Sequence, residues 1–166
     1  MKKLFVVRHA KSSWAIPGQS DFARPLNDRG VHDAPIMAER LLLRNEAVDL
    51  FLSSPALRAR QTCEAFCKEY QRPLTTIQFE ETLYHAPCET FYSVIEKISD
   101  DYQSVSLFSH NPGITDFVNS LHTGAVVDNM PTCGVFALKI HTNSWLQFAS
   151  AKKEFMFFES PKHKAG

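Results

Sequence analysis

The hydrophobic positions of this chain fall into short unbroken runs and longer stretches with apolar residues every three or four positions. Leu4-Phe5-Val6-Val7 is the first run. Four consecutive apolar residues, two of them β-branched, predict a strand buried on both faces, and the run stops abruptly at Arg8-His9-Ala10-Lys11-Ser12. Val48 to Ser54 predicts a second strand, ended by Pro55. Ser104 to Ser109 predicts a third, ended by His110-Asn111-Pro112-Gly113.

Helical spacing fills the intervals. Asn27 or Asp28 can cap a helix running to about Arg44, with Val31, Ala34, Met37, Ala38, Leu41 and Leu42 as its apolar stripe. Pro35 should kink it, unless the regular part begins near Asp33 and the proline sits in the first turn. Further helices are predicted from Pro55 to about Tyr70, from Glu89 to about Ser99 and from Ile114 to Leu121. Thr76 to Glu80 alternates in character, as a short strand near a sheet edge would. Residues 12–27 and 82–88 lack periodicity and carry Pro17, Gly18, Pro25 and Pro87, which marks them as loops. Gly134–His141 and Ser144–Ala149 are expected to pair as a hairpin through a Thr142-Asn143 turn. Phe155, Phe157 and Phe158 suggest one more extended segment, and the end of the chain, 158–166, is expected to be a flexible tail.

A length of 166 residues with 44% apolar content suits a single domain, 1–166, with a sizeable core. Eighteen Lys and Arg balance eighteen Asp and Glu, so no global basic field exists to draw in nucleic acid or an anionic membrane. The apolar run at the N-terminus is too short for a signal peptide, and no other run approaches membrane-spanning length. A cytoplasmic protein is the expectation. Cys63, Cys67, Cys88 and Cys133 are expected to stay reduced, and the absence of a companion ligand set argues against a metal site.

The chemistry gathers where strands end. In open α/β sheets ligands bind beyond the carboxyl ends of the strands, which is where Arg8, His9 and His110 are delivered. Arg58 lies near the N-terminus of the second helix. That end of the dipole disfavours a cation, and an anion held between the guanidinium and the free backbone donors would explain its presence; an arginine pointing to water is the alternative. Two guanidiniums and two imidazoles around one small volume describe a phosphate pocket, in which each unit ion pair at 4 Å contributes about 4 kcal/mol at an effective dielectric of 20. Rival chemistries lack their motifs: the chain has no Cys-x5-Arg, no Gly-x4-Gly-Lys-Ser/Thr loop and no Gly-x-Ser-x-Gly elbow.

Four ordered stretches resemble the histidine phosphatase superfamily, and within it the short SixA-type phosphohistidine phosphatases. They are Val7-Arg8-His9-Ala10-Lys11-Ser12-Ser13-Trp14, Arg24-Pro25-Leu26-Asn27-Asp28-Arg29-Gly30, the run from Ser53 to Thr62, and Ser109-His110-Asn111-Pro112. The resemblance implies a phosphoglycerate mutase-like α/β fold, a three-layer αβα sandwich with a central mixed, mostly parallel sheet. It implies that His9 is a nucleophile that becomes phosphorylated, that Arg8 and Arg58 clamp the phosphoryl oxygens, and that His110 completes the pocket, with no metal or other cofactor. Ser12 and Arg24 are expected at the mouth. Two departures stand out: Ala10 replaces the family's usual glycine, and Leu83-Tyr84-His85 stands where mutase-like relatives carry an acidic proton donor. His85 can donate a proton there, or simply be a loop histidine. The expected substrate is a phosphorylated protein carrying phosphohistidine. A small-molecule phosphoester on the same scaffold is the enzymatic alternative, and a phosphate-binding module without chemistry is the non-enzymatic one.

Overall fold

The computed structural model describes residues 1–163. Ten main elements follow one another: β1 (Lys2–Arg8), α1 (Asp28–Leu43), β2 (Leu50–Ser53), α2 (Leu57–Glu69), β3 (Gln78–Phe79), α3 (Cys88–Glu96), β4 (Ser104–Ser109), α4 (Gly113–Ser120), β5 (Val135–Ile140) and β6 (Lys153–Glu159). The strands form one sheet in the order β3-β2-β4-β1-β5-β6. Pairing is parallel from β3 through β1 and antiparallel from β1 to β6, so the sheet is mixed, as expected.

The two-residue alternation of β1 divides the core. Leu4 and Val6 face a cluster that includes Leu52, Leu107, Phe91 and Ile95 of α3, and Phe117 and Val118 of α4. Phe5 and Val7 face the opposite cluster, with Phe51, Phe108, Met37 and Leu41 of α1, and Cys63 and Phe66 of α2. A strand covered on both sides must be apolar at every position, which is why β1 reads as an unbroken run. Aromatic contacts tie the layers: Phe66 meets Phe108 edge-on at 5.1 Å, and Phe91 stacks on Phe117 at 4.9 Å. Among the described residues no helix is long and apolar enough to cross a membrane.

α1 begins where its cap dictates. The Asn27 Oδ1 accepts the Gly30 N–H at 2.9 Å. A side chain at Gly30 would collide with the carbonyl oxygen of Lys11, so this glycine lets the first turn of α1 back onto the segment that leaves β1. The Asn27 N–H completes the junction by donating to that same carbonyl at 3.0 Å. Pro35 sits within α1 rather than in its first turn.

Two expectations are corrected. Residues 144–149 form no strand; Trp145–Gln147 is a single 3-10 turn, and β5 pairs instead with β6. Trp145 and Phe148 lie three apart, the spacing of one helical face, and both are fully buried. The Trp145 backbone N–H donates to Asp100 Oδ1 at 2.7 Å and its indole N–H to the Tyr102 carbonyl at 2.8 Å, so its polar groups are satisfied without a ladder. The flexible tail expected over 158–166 is not found at 158–163. Phe158 and Glu159 complete β6, Glu159 pairs with Arg44 at 3.1 Å, and Ser160 bridges to His163; residues 164–166 of that expectation lie outside the described residues.

Candidate active site

β2, β4 and β1 are neighbouring parallel strands whose carboxyl ends open on one solvent-exposed cleft of about 420 Å³. Arg8, His9, Ser12, Arg24, Arg58, His85 and His110 all line it, together with Lys11, Trp14, Asp21, Asn111 and Thr132. Residues drawn from positions 8 to 110 of the chain thus meet in one place.

His9 is held by its backbone. Its N–H donates to the Ser109 carbonyl at 3.2 Å, its carbonyl accepts the Cys133 N–H at 3.0 Å, and the next residue, the buried Ala10, donates to Thr62 Oγ1 at 2.9 Å. The imidazole Nδ1 lies 2.7 Å from the Ala10 carbonyl oxygen. A carbonyl only accepts, so this bond puts the ring proton on Nδ1 and leaves the lone pair on Nε2. Burial, reinforced by Arg58 and Arg8, pushes the His9 imidazole down to about 3 against the bond to Ala10, and the ring is neutral at pH 7.

His110 is set in a similar way. Its Nε2 lies 2.7 Å from Ser54 Oγ, which also accepts the Ala56 N–H at 3.3 Å. The Ser54 hydroxyl has no other acceptor among the described residues, and assigning its proton to Nε2 puts the His110 ring proton on Nδ1, a buried atom with no partner among them. Burial first, then the neighbouring His9 and Arg58, push its pKa down to about 2. The two imidazole centres are 5.2 Å apart.

The arginines show the same incompleteness. Arg8 donates from Nη1 to the Met130 carbonyl at 2.8 Å, and Arg58 donates from Nη1 and Nη2 to the Asp21 carbonyl and carboxylate at 2.7 and 3.0 Å. Nε of each is buried without a partner among the described residues. Arg8, Arg58 and His110 all line the cleft, and each carries one buried nitrogen, Arg8 Nε, Arg58 Nε and His110 Nδ1, without a partner among the described residues, where buried donors are almost always satisfied. A tetrahedral oxyanion supplies acceptors.

At the mouth, Arg24 donates to Ser12 Oγ at 2.9 Å and to Asp21 Oδ1 at 3.2 Å, while Trp14 lies against its guanidinium at 3.5 Å. His85 stands at the rim with its side chain 62% exposed and Nε2 3.6 Å from Asp21 Oδ2. Asp21 is the hub of this side. Burial raises its carboxyl, but bonds from Tyr84, Arg58 and Arg24 outweigh that and hold it down at about 2. Asp21 and Tyr84, which reaches it with a 2.7 Å bond, were not among the residues singled out by sequence, nor were Ser54, Thr62 or the Met130 carbonyl. Ser54 and Thr62 lie within the third motif, and the abrupt change from Phe51-Leu52 to two serines at a strand end was their one available signal.

The sequence model of the histidine phosphatase superfamily, branch 1, matches residues 4–111. The chain belongs to this superfamily. Among solved structures, the candidate phosphohistidine phosphatase SixA from Agrobacterium tumefaciens is 30% identical, with a TM-score of 0.81 over 96% of this chain and 98% of that one. The protein histidine phosphatase SixA in complex with tungstate shares the fold, with a TM-score of 0.79 at 22% identity over 96% of this chain and 97% of that one. An uncharacterized protein of Mycobacterium leprae is 29% identical over 94% of this chain and its own full length. Membership supports phosphatase activity on a phosphorylated substrate for this histidine phosphatase, and its three-layer fold is that of the phosphoglycerate mutase-like members.

Proposed function

We propose that the chain is a metal-independent phosphohistidine phosphatase that takes a phosphoryl group from a phosphoprotein onto His9 and releases it to water. The observation that carries this reading is a neutral His9, its Nε2 lone pair freed by the 2.7 Å bond from Nδ1 to the Ala10 carbonyl, in one cleft with Arg8, Arg58 and His110, each of which carries a buried nitrogen without a partner among the described residues. His9 Nε2 attacks phosphorus, and the departing group leaves with the electron pair of its bond. Arg8, Arg58 and His110 Nδ1 receive the equatorial oxygens, fixed in place before charge shifts among them. In the second step water forms the new P–O bond, the P–Nε2 bond breaks, and the water proton passes to the phosphate or to solvent. His9 departs as neutral imidazole because its Nδ1 proton never left Ala10.

A P–N substrate is favoured by the absence of an acidic side chain at 83–85 and by the exposure of His85. An alkoxide leaving group needs a placed acid, whereas a protonated phosphoimidazole leaves as neutral imidazole. Names of the similar SixA proteins support the same substrate class. We assign the chain to the cytoplasm, a reading supported by its four free cysteines, three of them buried.

Turnover of a phosphohistidine-bearing protein domain, compared with a panel of small phosphomonoesters, tests the proposal. The expected outcome is a higher kcat/KM on the phosphohistidine domain and an acid-labile, base-stable phosphoenzyme. A phosphomonoester that matches or exceeds it moves the assignment to a small-molecule phosphatase, and absence of any phosphoenzyme or turnover leaves a binding module.

A further inference from the structure

A carboxylate is out of place in a pocket for a phosphoryl dianion. The described lining of the cleft holds four cationic side chains, Arg8, Lys11, Arg24 and Arg58, and one carboxylate, Asp21. The contacts of Asp21 leave it incompletely used. Among the described residues, Oδ2 accepts from Arg58 Nη2 at 3.0 Å and from the Tyr84 hydroxyl at 2.7 Å, while Oδ1 accepts only from Arg24 Nε at 3.2 Å. A carboxylate offers about four lone-pair positions, so Oδ1 retains a free one. Asp21 lines the cleft, and its side chain is 38% exposed. An imidazole already stands beside this group: His85 Nε2 is 3.6 Å from Oδ2.

We propose that Asp21 is a specificity-determining residue, whose Oδ1 receives the ring N–H of a phosphorylated imidazolium and so selects a cationic nitrogen leaving group over an ester oxygen. This rests on the phosphohistidine reading above and names the group that enforces it. As the P–N bond breaks and the bond from phosphorus to His9 Nε2 forms, the electron pair passes to the departing nitrogen. The proton on the other ring nitrogen stays where it is, hydrogen-bonded to Asp21, and neutral imidazole leaves. An ester makes the opposite demand: negative charge grows on its leaving oxygen, which the fixed carboxylate opposes. The same charge therefore favours one substrate class and disfavours the other.

Anchoring Arg58 alone would be a different role, with a different signature. Loss of an arginine anchor weakens every phosphoryl substrate together and weakens phosphate binding; loss of a charge selector changes the ratio between substrates and relieves repulsion of the dianion. The test uses the full chain and its Asp21→Asn and Asp21→Ala variants. It measures kcat/KM on a phosphohistidine domain, on N-phosphoimidazole and on p-nitrophenyl phosphate, together with inhibition by inorganic phosphate. The expected result is a fall of about tenfold or more in the phosphoimidazole-to-ester ratio, the factor that one lost charged hydrogen bond supplies, with phosphate inhibition unchanged or tighter. A parallel fall on all substrates with weaker phosphate inhibition, or an unchanged ratio, overturns the proposal. Failure of the parent on the phosphohistidine domain would refute the function above independently, and the small-probe ratio would still decide the role of Asp21. A parent inert on all three substrates refutes both.

Discussion

Lowering the pH from 7 to 5 should destabilise this protein by an amount that its two buried active-site imidazoles set. His9 and His110 are 6% and 3% exposed, with pKa values pushed down to about 3 and about 2, largely by burial. In the unfolded chain each returns to about 6.5. Because the folded values are depressed, the unfolded chain binds more protons as the pH falls through 6.5, and stability present at neutral pH is lost toward the folded values. At pH 5 the folded rings are still neutral, so the loss depends on the unfolded value alone and comes to about 2 kcal/mol per imidazole, about 4 kcal/mol for the pair. Asp21, held at about 2, stays ionised across this window in both states and adds little. Urea denaturation at the two pH values, on the parent and on His9→Asn, His110→Gln and the double variant, measures the effect. Asparagine can keep a donor for the Ala10 carbonyl and glutamine an acceptor for Ser54, so the within-variant pH change isolates the lost titration. Each single variant should remove about half of the parent's pH-dependent loss attributed to the pair. A double variant that loses as much stability as the parent between pH 7 and 5 would refute the claim that these rings are held neutral by burial.

Three further outcomes are expected. His9→Ala should abolish turnover while inorganic phosphate still binds, because Arg8, Arg58 and His110 remain; calorimetry beside a steady-state assay checks both, and turnover within about tenfold of the parent argues against a nucleophilic His9. Arg58→Lys should lower kcat/KM by about ten- to a hundredfold and Arg58→Ala by more, since lysine keeps charge but cannot present both Nη atoms to Asp21 and Nε to the substrate; equal activity of parent and lysine variant counts against the clamp. Turnover should persist in excess EDTA, since the charges offered to the phosphoryl group are guanidiniums; loss with EDTA and recovery on adding a divalent metal would overturn the metal-free mechanism.

The parts of the site legible in the sequence were those carried by rigid elements. Leu4 to Val7 had to be apolar throughout because two core clusters claim alternate residues, and that constraint makes the stop at Arg8-His9 conspicuous. Ser104 to Ser109 is fully buried by the same logic and ends at His110. Arg58 was betrayed by its unfavourable position at a helix start. Asp21 carries no such mark. It lies in an aperiodic loop, and its meaning comes from partners at 24, 58 and 84, positions that no local pattern relates. The Met130 carbonyl that holds Arg8 is a backbone group 122 residues away. Residues 144–149 were read as the second strand of a hairpin turning at Thr142-Asn143; burial of Trp145 and Phe148 on one face of a single turn overrode that pairing.

The missing acid at 83–85 becomes intelligible once the proton on His9 is located. When His9 Nε2 carries the phosphoryl group, its ring is a phosphoimidazolium with the Nδ1 proton on the Ala10 carbonyl. A phosphohistidine substrate bound with its distal N–H on Asp21 is the same chemical species in the same arrangement, with a carboxylate in place of a carbonyl as the acceptor. Both half-reactions then expel neutral imidazole from a ring whose far proton is fixed, and neither requires protonation of the leaving atom. A general acid would assist only an ester, and a carboxylic acid at position 85 would lie beside Asp21, where a second carboxyl would be held protonated or would repel the incoming dianion. On the proposed reading, the departure at His85 and the carboxylate at Asp21 both follow from one requirement, that the leaving group bring its own positive charge into a cleft whose arginines serve the phosphoryl oxygens.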